Sequence, residues 1–281
     1  MIKLTECPRD AMQGIIEFIP TQLKVKYINS LLKVGFDVLD FGSFISPKAI
    51  PQLKDTADVL KGLELNAQSP KLLAIVANER GAKEAIDFDE VSILGFPFSV
   101  SEVFQLKNTH STREESMDRV KNIQDICLAS NKKLRVYLSM GFGNPYGEDY
   151  SPEIVLEWSS KLKEIGISEL ALSDTIGISN PRSIKSLFEL LFRELNGIEL
   201  SAHFHSAPQN WAEKVNEALK AGCMSYDSAI NGLGGCPLAE DKLVGNLATE
   251  KLVGLFGNKL NSKFNLEAFS ESLIIANEVF A

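Results

Sequence analysis

The 281-residue sequence predicts an α/β fold, a TIM (β/α)8 barrel with extra C-terminal helices. Three observations carry that expectation. Eight short runs, mostly apolar and without strict alternation, recur along the chain, as parallel strands covered on both faces require. Amphipathic stretches with helical spacing fall between them. Eight strand–helix units in about 260 residues is the size of a closed barrel. An open doubly wound sheet would instead want a glycine-rich phosphate loop after its first strand. The chain there reads Glu6-Cys7-Pro8-Arg9-Asp10-Ala11.

In order, strands are expected at Ile2–Glu6, Val38–Gly42, Leu72–Ala77, Val91–Gly95, Leu134–Met140, Glu169–Asp174, Glu199–His205 and Met224–Ile230. Leu23, Tyr27, Leu31 and Val34 lie on one face of a helix. So do Met117, Val120, Ile123 and Cys127, then Ile154, Trp158, Leu162 and Ile165, then Ile184, Leu187, Leu191 and Leu195. Ser111-Thr112-Arg113-Glu114 reads as a capping box. Ser151-Pro152 and Asn180-Pro181 place proline at a first helical position. Gly35 and Gly166 stand where a left-handed cap ends a helix. After residue 257, Phe264, Leu266, Phe269, Leu273 and Ile274 predict extra helices packed on the barrel over about 258–281. No linker rich in Pro, Gly or Ser interrupts the pattern, so residues 1–281 are read as a single domain.

Composition narrows the function. The apolar fraction is 44% and the charged fraction 23%, which excludes a disordered chain. The net charge of −8 argues against nucleic acid, whose phosphates demand a basic surface. No apolar run approaches the roughly 18–20 residues that span a membrane. The N-terminus lacks an apolar stretch of signal-peptide type, so a cytoplasmic location is expected. Four cysteines without a Cys-x-x-Cys pair exclude a disulfide scaffold. Cys127 and Cys223 read as small buried hydrophobes.

In a barrel, catalytic groups gather where strands end. Those positions hold Arg9 and Asp10 after strand 1, Asp40 and Ser43 at strand 2, Asp174 at strand 6, His203 and His205 at strand 7, and Asn231 to Pro237 after strand 8. The pair His203-x-His205 is the sharpest signal. Strand residues i and i+2 face one side, so two imidazoles converge as metal ligation requires. Asp10 beside them would add an anionic oxygen, and the mixed set suits Mn2+ or Mg2+ better than structural zinc. Arg9 would be a fixed cation suited to a developing enolate oxygen. His110 stands alone in a polar loop and is read as structural. Gly232, Gly234 and Gly235 suggest a flexible loop that could carry Cys236 over the site, where a tuned thiol acts as acid or base.

These segments resemble the 3-hydroxy-3-methylglutaryl-CoA lyase family. The resemblance rests on Thr5 to Gln13, Ser43-Phe44-Ile45-Ser46-Pro47-Lys48, Ser173 to Gly177, His203-Phe204-His205, Gly232 to Pro237 and Gly245 to Glu250, and spans roughly residues 2–255. It implies cleavage of that acyl-CoA to acetyl-CoA and acetoacetate, in leucine degradation and ketone-body formation. By motif position it implies that Asp10, His203, His205 and Asn246 hold Mg2+ or Mn2+. Arg9, Cys236 and Asp174 would be catalytic, and Arg9, Gln13, Asp40 and Ser43 would bind substrate. The expected partner is an acyl-CoA, and the expected assembly a homodimer. The chain departs from the family pattern at Asp40, where glutamate is usual, at Asn144 and Ala11, and over Ser206 to Gln209. The competing expectations are a related aldolase or acyl-CoA-dependent synthase, or a catalytically silent paralogue.

Overall fold

A computed structural model describes residues 1–235 and 244–281. Among these residues the eight expected strands all form: β1 (Lys3–Glu6), β2 (Val38–Ser43), β3 (Lys71–Ile75), β4 (Val91–Ser99), β5 (Lys133–Ser139), β6 (Glu169–Asp174), β7 (Glu199–Ser206) and β8 (Ser225–Ser228). Each pairs in parallel with the next, and β8 returns to β1, which closes the barrel. A short ninth strand, β9 (Gly245–Asn246), was not expected and pairs antiparallel with the end of β7. β4 runs past Pro97, and its pairing with β5 carries on to Ser99↔Ser139.

Alternation decides what faces inward. On β5, Arg135, Tyr137 and Ser139 alternate with Leu134, Val136 and Leu138. On β7, Ser201, His203 and His205 alternate with Leu200, Ala202 and Phe204. The apolar set packs outward against the helices, where Phe204 meets the rings of Phe142 and Phe188. Fully burying one such side chain contributes roughly 1.5–3 kcal/mol. Inside the barrel, Val38, Leu73, Ile75, Ile93, Tyr137 and Ala171 form a smaller apolar cluster. Below it Arg135 pairs with Glu169 (3.3 Å) and Asp227 (3.6 Å) and donates to Thr5 Oγ1 (3.1 Å).

The expected helices form at Thr21–Leu31, Arg113–Ala129, Pro152–Glu164 and Pro181–Glu194, the last two opening with their prolines. The capping box lies one residue later than expected. Thr112 accepts from Glu115 N (3.1 Å) and Glu115 accepts from Thr112 N (2.8 Å), while Ser111 is buried against Ser116. Gly166 follows its helix at φ 88°, as a left-handed cap requires. Gly35, at φ 90°, serves a close approach instead: an added Cβ would lie 2.4 Å from the carbonyl oxygen of Lys263.

The C-terminal stretch forms one α-helix, Leu266–Val279, rather than several, preceded by the 3-10 turn Gly257–Lys259. It packs on Thr21–Leu31, with Phe280 edge-on to Tyr27 at 5.7 Å. Its buried stripe is Ala268, Phe269, Ser272, Ala276 and Val279, at helical spacing. Phe264, Phe269 and Leu273 pack as expected, whereas Leu266 and Ile274, on the opposite face, are 63% and 65% exposed. No helix among the described residues is long and apolar enough to cross a membrane.

One outward-facing carboxyl on β1 ties the mouth together. Glu6 accepts from Ile230 N (2.9 Å) and from Thr249 Oγ1 (2.5 Å). Burial pushes it up to about 8 despite those two bonds. The folded state therefore holds a proton that the unfolded chain releases near 4.5. That contribution is full below the unfolded value and is lost as pH rises through about 8. Glu6→Gln should flatten the decline in melting temperature between pH 6 and 9. Parallel declines for the two proteins would contradict this assignment.

Candidate active site

The site is assembled from both ends of the chain at the C-terminal mouth. β1 runs into the short helix Pro8–Gln13, whose first-turn proline follows Cys7. That helix presents Arg9, Asp10 and Gln13 to the mouth. β7 brings His203 and His205 inward. The ligand atoms of Asp10, His203 and His205 all lie within 4.8 Å of one another. β9 pairs Asn246 directly with His205, which carries the Asn246 amide to Asp10 Oδ2 at 2.6 Å.

Each imidazole is oriented from behind. The register Ala202↔Tyr226 sets Asp227 beside His203, and Asp227 Oδ2 lies 3.1 Å from His203 Nδ1. His205 Nδ1 lies 2.8 Å from the carbonyl oxygen of Thr175. A carbonyl only accepts, so His205 Nδ1 carries the hydrogen and Nε2 keeps its lone pair. Among the described residues that buried Nε2 has no hydrogen-bond partner. A buried, unsatisfied acceptor pointing at a second imidazole and a carboxylate is what a divalent cation would complete.

The electrostatics agree. Burial opposes charge on Asp10, but Arg9 and the two histidines outweigh it and hold the carboxyl below the usual range. Burial and the neighbouring His203 lower His205, which keeps it neutral. Burial opposes protonation of His203 as well, but the bond and charge of Asp227 prevail and raise it.

Arg9 is buried and saturated on one edge. Its Nε and Nη2 grip Asp40 (3.0 and 2.5 Å), and Nη1 donates to Asp10 Oδ1 (3.1 Å) and Gln13 Oε1 (2.9 Å). Among the described residues, four of its five N–H groups have acceptors and one on Nη2 is left for another. Burial pushes Asp40 up to about 6 against the pull of Arg9, so the carboxyl is ionised at neutral pH and above.

These groups face a cavity of about 150 Å3. Tyr137, Ser139, Ser173 and Thr175 form a polar wall, and Ile45, Ile75, Pro97 and Phe104 an apolar one. Tyr137 was not singled out from the sequence. Among the described residues its buried hydroxyl has no partner, and its ring stands edge-on to His203 at 5.4 Å. The alternation Arg135-x-Tyr137-x-Ser139, at the same inward parity as the histidines, is the signal that would have found it. Asp227 was missed for the same reason.

Other expected residues fall elsewhere. The Ser43 hydroxyl donates to the Ile75 carbonyl (3.2 Å) and accepts from Ile45 N (3.2 Å), so it braces the loop and borders a separate cavity of about 110 Å3. Asp174 follows inward-facing Ser173 and so turns outward, into an ion pair with Lys214 at 2.7 Å. Asn144 folds its own loop, accepting from Tyr146 N (3.0 Å) and Glu148 N (3.2 Å). Cys236 lies outside the described residues. The glycines before it are required for space as well as for conformation. Gly232, Gly234 and Gly235 all have positive φ, and a Cβ on Gly234 would lie 2.7 Å from Asn246 Nδ2 and 2.8 Å from the Asp10 carbonyl oxygen.

The fold and site together define a barrel enzyme whose mouth is built to hold a divalent cation beside a fixed guanidinium. The HMGL-like family model matches residues 3–272, and the chain belongs to that family. It is 35% identical over 248 residues to the hydroxymethylglutaryl-CoA lyase YngG of Bacillus subtilis, covering 88% of this chain and 81% of that protein. The crystal structure of the Bacillus subtilis HMG-CoA lyase superposes with a TM-score of 0.92 at 31% identity, over 99% of this chain and 93% of that one. An HMG-CoA lyase from Acinetobacter baumannii, in complex with coenzyme A and 3-methylmalate, gives 0.91 at 27% identity, over 99% and 91%.

Proposed function

We infer that this chain is a carbon–carbon lyase that cleaves 3-hydroxy-3-methylglutaryl-CoA to acetyl-CoA and acetoacetate. One observation carries the reading. Arg9, Asp10, His203, His205 and Asn246, far apart in sequence, meet at one mouth in a chain that matches HMG-CoA lyases over nearly its whole length. The coenzyme A bound by the Acinetobacter baumannii lyase supports an acyl-CoA substrate. Nothing in the comparisons favours the synthase, aldolase or silent-paralogue alternatives.

Asp10, His203, His205 and Asn246 would hold Mg2+ or Mn2+, which suit a mixed oxygen and imidazole set. When bound, the ion supplies positive charge for the hydroxyl and acid oxygens of the substrate. A base takes the proton of the substrate hydroxyl, and the carbon bearing that oxygen becomes the ketone of acetoacetate. The electrons of the broken C–C bond pass to the thioester fragment as an enolate. Arg9 offers its remaining N–H to that enolate oxygen, while Asp40 and Gln13 hold the guanidinium in place. The apolar wall of Ile75, Pro97 and Phe104 takes the 3-methyl group and excludes water. The enolate carbon then takes up a proton to give acetyl-CoA. Gly234 lies against Asp10, and Cys236 follows two residues later, which supports the thiol as proton donor.

A panel of acyl-CoA substrates assayed with Mg2+ or Mn2+ tests the assignment. Acetyl-CoA and acetoacetate should appear only from 3-hydroxy-3-methylglutaryl-CoA. Condensation of acetyl-CoA with a 2-oxo acid would instead establish the synthase reading. Cys236→Ser should fold normally and lose most turnover, since a serine hydroxyl is a far poorer proton donor near neutral pH. Turnover at the parental rate would make that cysteine a passenger.

A further inference from the structure

The helix Trp211–Lys220 buries a lysine on the face it turns to the barrel. Lys214 is 0% exposed, and its ammonium meets three acceptors: Asp174 Oδ2 at 2.7 Å, the Gly177 carbonyl at 2.9 Å and the His205 carbonyl at 3.1 Å. An ammonium has three N–H groups, so each has a partner. Asp174 is equally committed. Besides Lys214 it accepts from Ser179 N (3.1 Å) and Ser179 Oγ (2.5 Å). Neither charge is left over for a substrate.

The two carbonyls are the informative contacts. The His205 ring is bonded through Nδ1 to Thr175, in the loop that ends at Gly177. Lys214 therefore holds the backbone of His205 and the loop that holds its ring. The same loop supports the other side of the site. A Cβ on Gly177 would lie 2.7 Å from Val244 Cγ2, and Val244 leads directly into β9, which pairs Asn246 with His205. A buried ion pair is weak grounds for stability on its own, because desolvation offsets most of the attraction. Its bonds to two carbonyls beside the site give it another role.

We propose that Lys214 is a positioning residue that, through the carbonyls of His205 and Gly177, aims His205 Nε2 into the cation site, with Asp174 as its counter-charge. The inference rests on the reading of Asp10, His203 and His205 as that site. It moves Asp174 from direct chemistry to support of the histidine.

The test uses the full chain. Lys214→Met alone leaves Asp174 buried and unpaired, and unfolding would be uninformative. The decisive variant is therefore Lys214→Met with Asp174→Asn, which removes both charges, with His205→Ala as the reference. Mn2+ affinity is read by electron paramagnetic resonance of free Mn2+ on protein shown to be folded by circular dichroism. Partners that orient a metal-binding histidine typically contribute 10–100-fold in affinity. The double variant should bind Mn2+ about 10–100-fold more weakly and lose kcat with little change in KM. Parental Mn2+ affinity in the double variant, alongside loss in His205→Ala, would reduce the pair to a stabilising contact. Parental affinity in His205→Ala would overturn the site itself and this inference with it.

Discussion

His203→Ala should lower turnover by more than about 100-fold while the chain remains folded. The floor of that figure comes from the groups behind the ring. Removing a partner that merely orients a ligand typically costs 10–100-fold in metal affinity or activity, and losing the donor itself exceeds that. Asp227→Asn should fall within the 10–100-fold range, because His203 keeps its nitrogen and loses only the carboxylate at Nδ1. The order matters more than either value. If Asp227→Asn were as damaging as His203→Ala, the barrel interior would be failing through Arg135, which also pairs with Asp227 at 3.6 Å. Steady-state kinetics with saturating Mn2+, beside thermal melts, separates the two cases.

Arg9→Gln should cost on the order of 10²–10³ in kcat, the usual loss when one group that stabilises a developing oxyanion is deleted. Burial gives Arg9 a part in stability as well. Arg9 is 7% exposed and Asp40 0%, so removing the guanidinium leaves a buried carboxyl without its partner, and burial drives Asp40 to take up a proton. Breaking a buried pair in this way costs about 3–5 kcal/mol, and the variant should melt well below the parent. Arg9→Lys isolates the chemistry. It keeps the charge beside Asp40 and Asp10 but not the planar fork, so it should recover much of the stability and little of the turnover. A Lys variant with near-parental kcat would show that charge alone suffices.

The barrel and the centre of its site were legible because they rest on short-range periodicity. Spacing of two on a strand fixed His203 and His205 to one side, and the position of Asp10 after the first strand put it at the same mouth. What escaped depends on parity or on partners remote in sequence. Asp174 and Ser173 are adjacent, and only the strand's facing decides that Ser173 lines the cavity while Asp174 meets Lys214. Tyr137 and Asp227 are recognisable only once the barrel interior is known to be polar. Asn246 was placed at the site by the resemblance alone, because it reaches Asp10 through β9, a two-residue strand too short to leave a pattern. The glycines before Cys236 have a second use that the sequence did not suggest: Gly232 and Gly234 leave room for Asn246 and Asp10. In the C-terminal segment Phe264, Phe269 and Leu273 pack as expected, while Leu266 and Ile274 lie on the exposed face.

The central claim is that a divalent cation held by Asp10, His203 and His205 makes this mouth a carbon–carbon lyase. It is tested most directly by stripping the protein with a chelator, adding 3-hydroxy-3-methylglutaryl-CoA, and following acetyl-CoA and acetoacetate before and after Mg2+ or Mn2+ is restored. The account predicts no product from the stripped protein, and equal amounts of both products once the ion returns. Undiminished cleavage in exhaustive chelator, or restored activity that yields one product without the other, would contradict it.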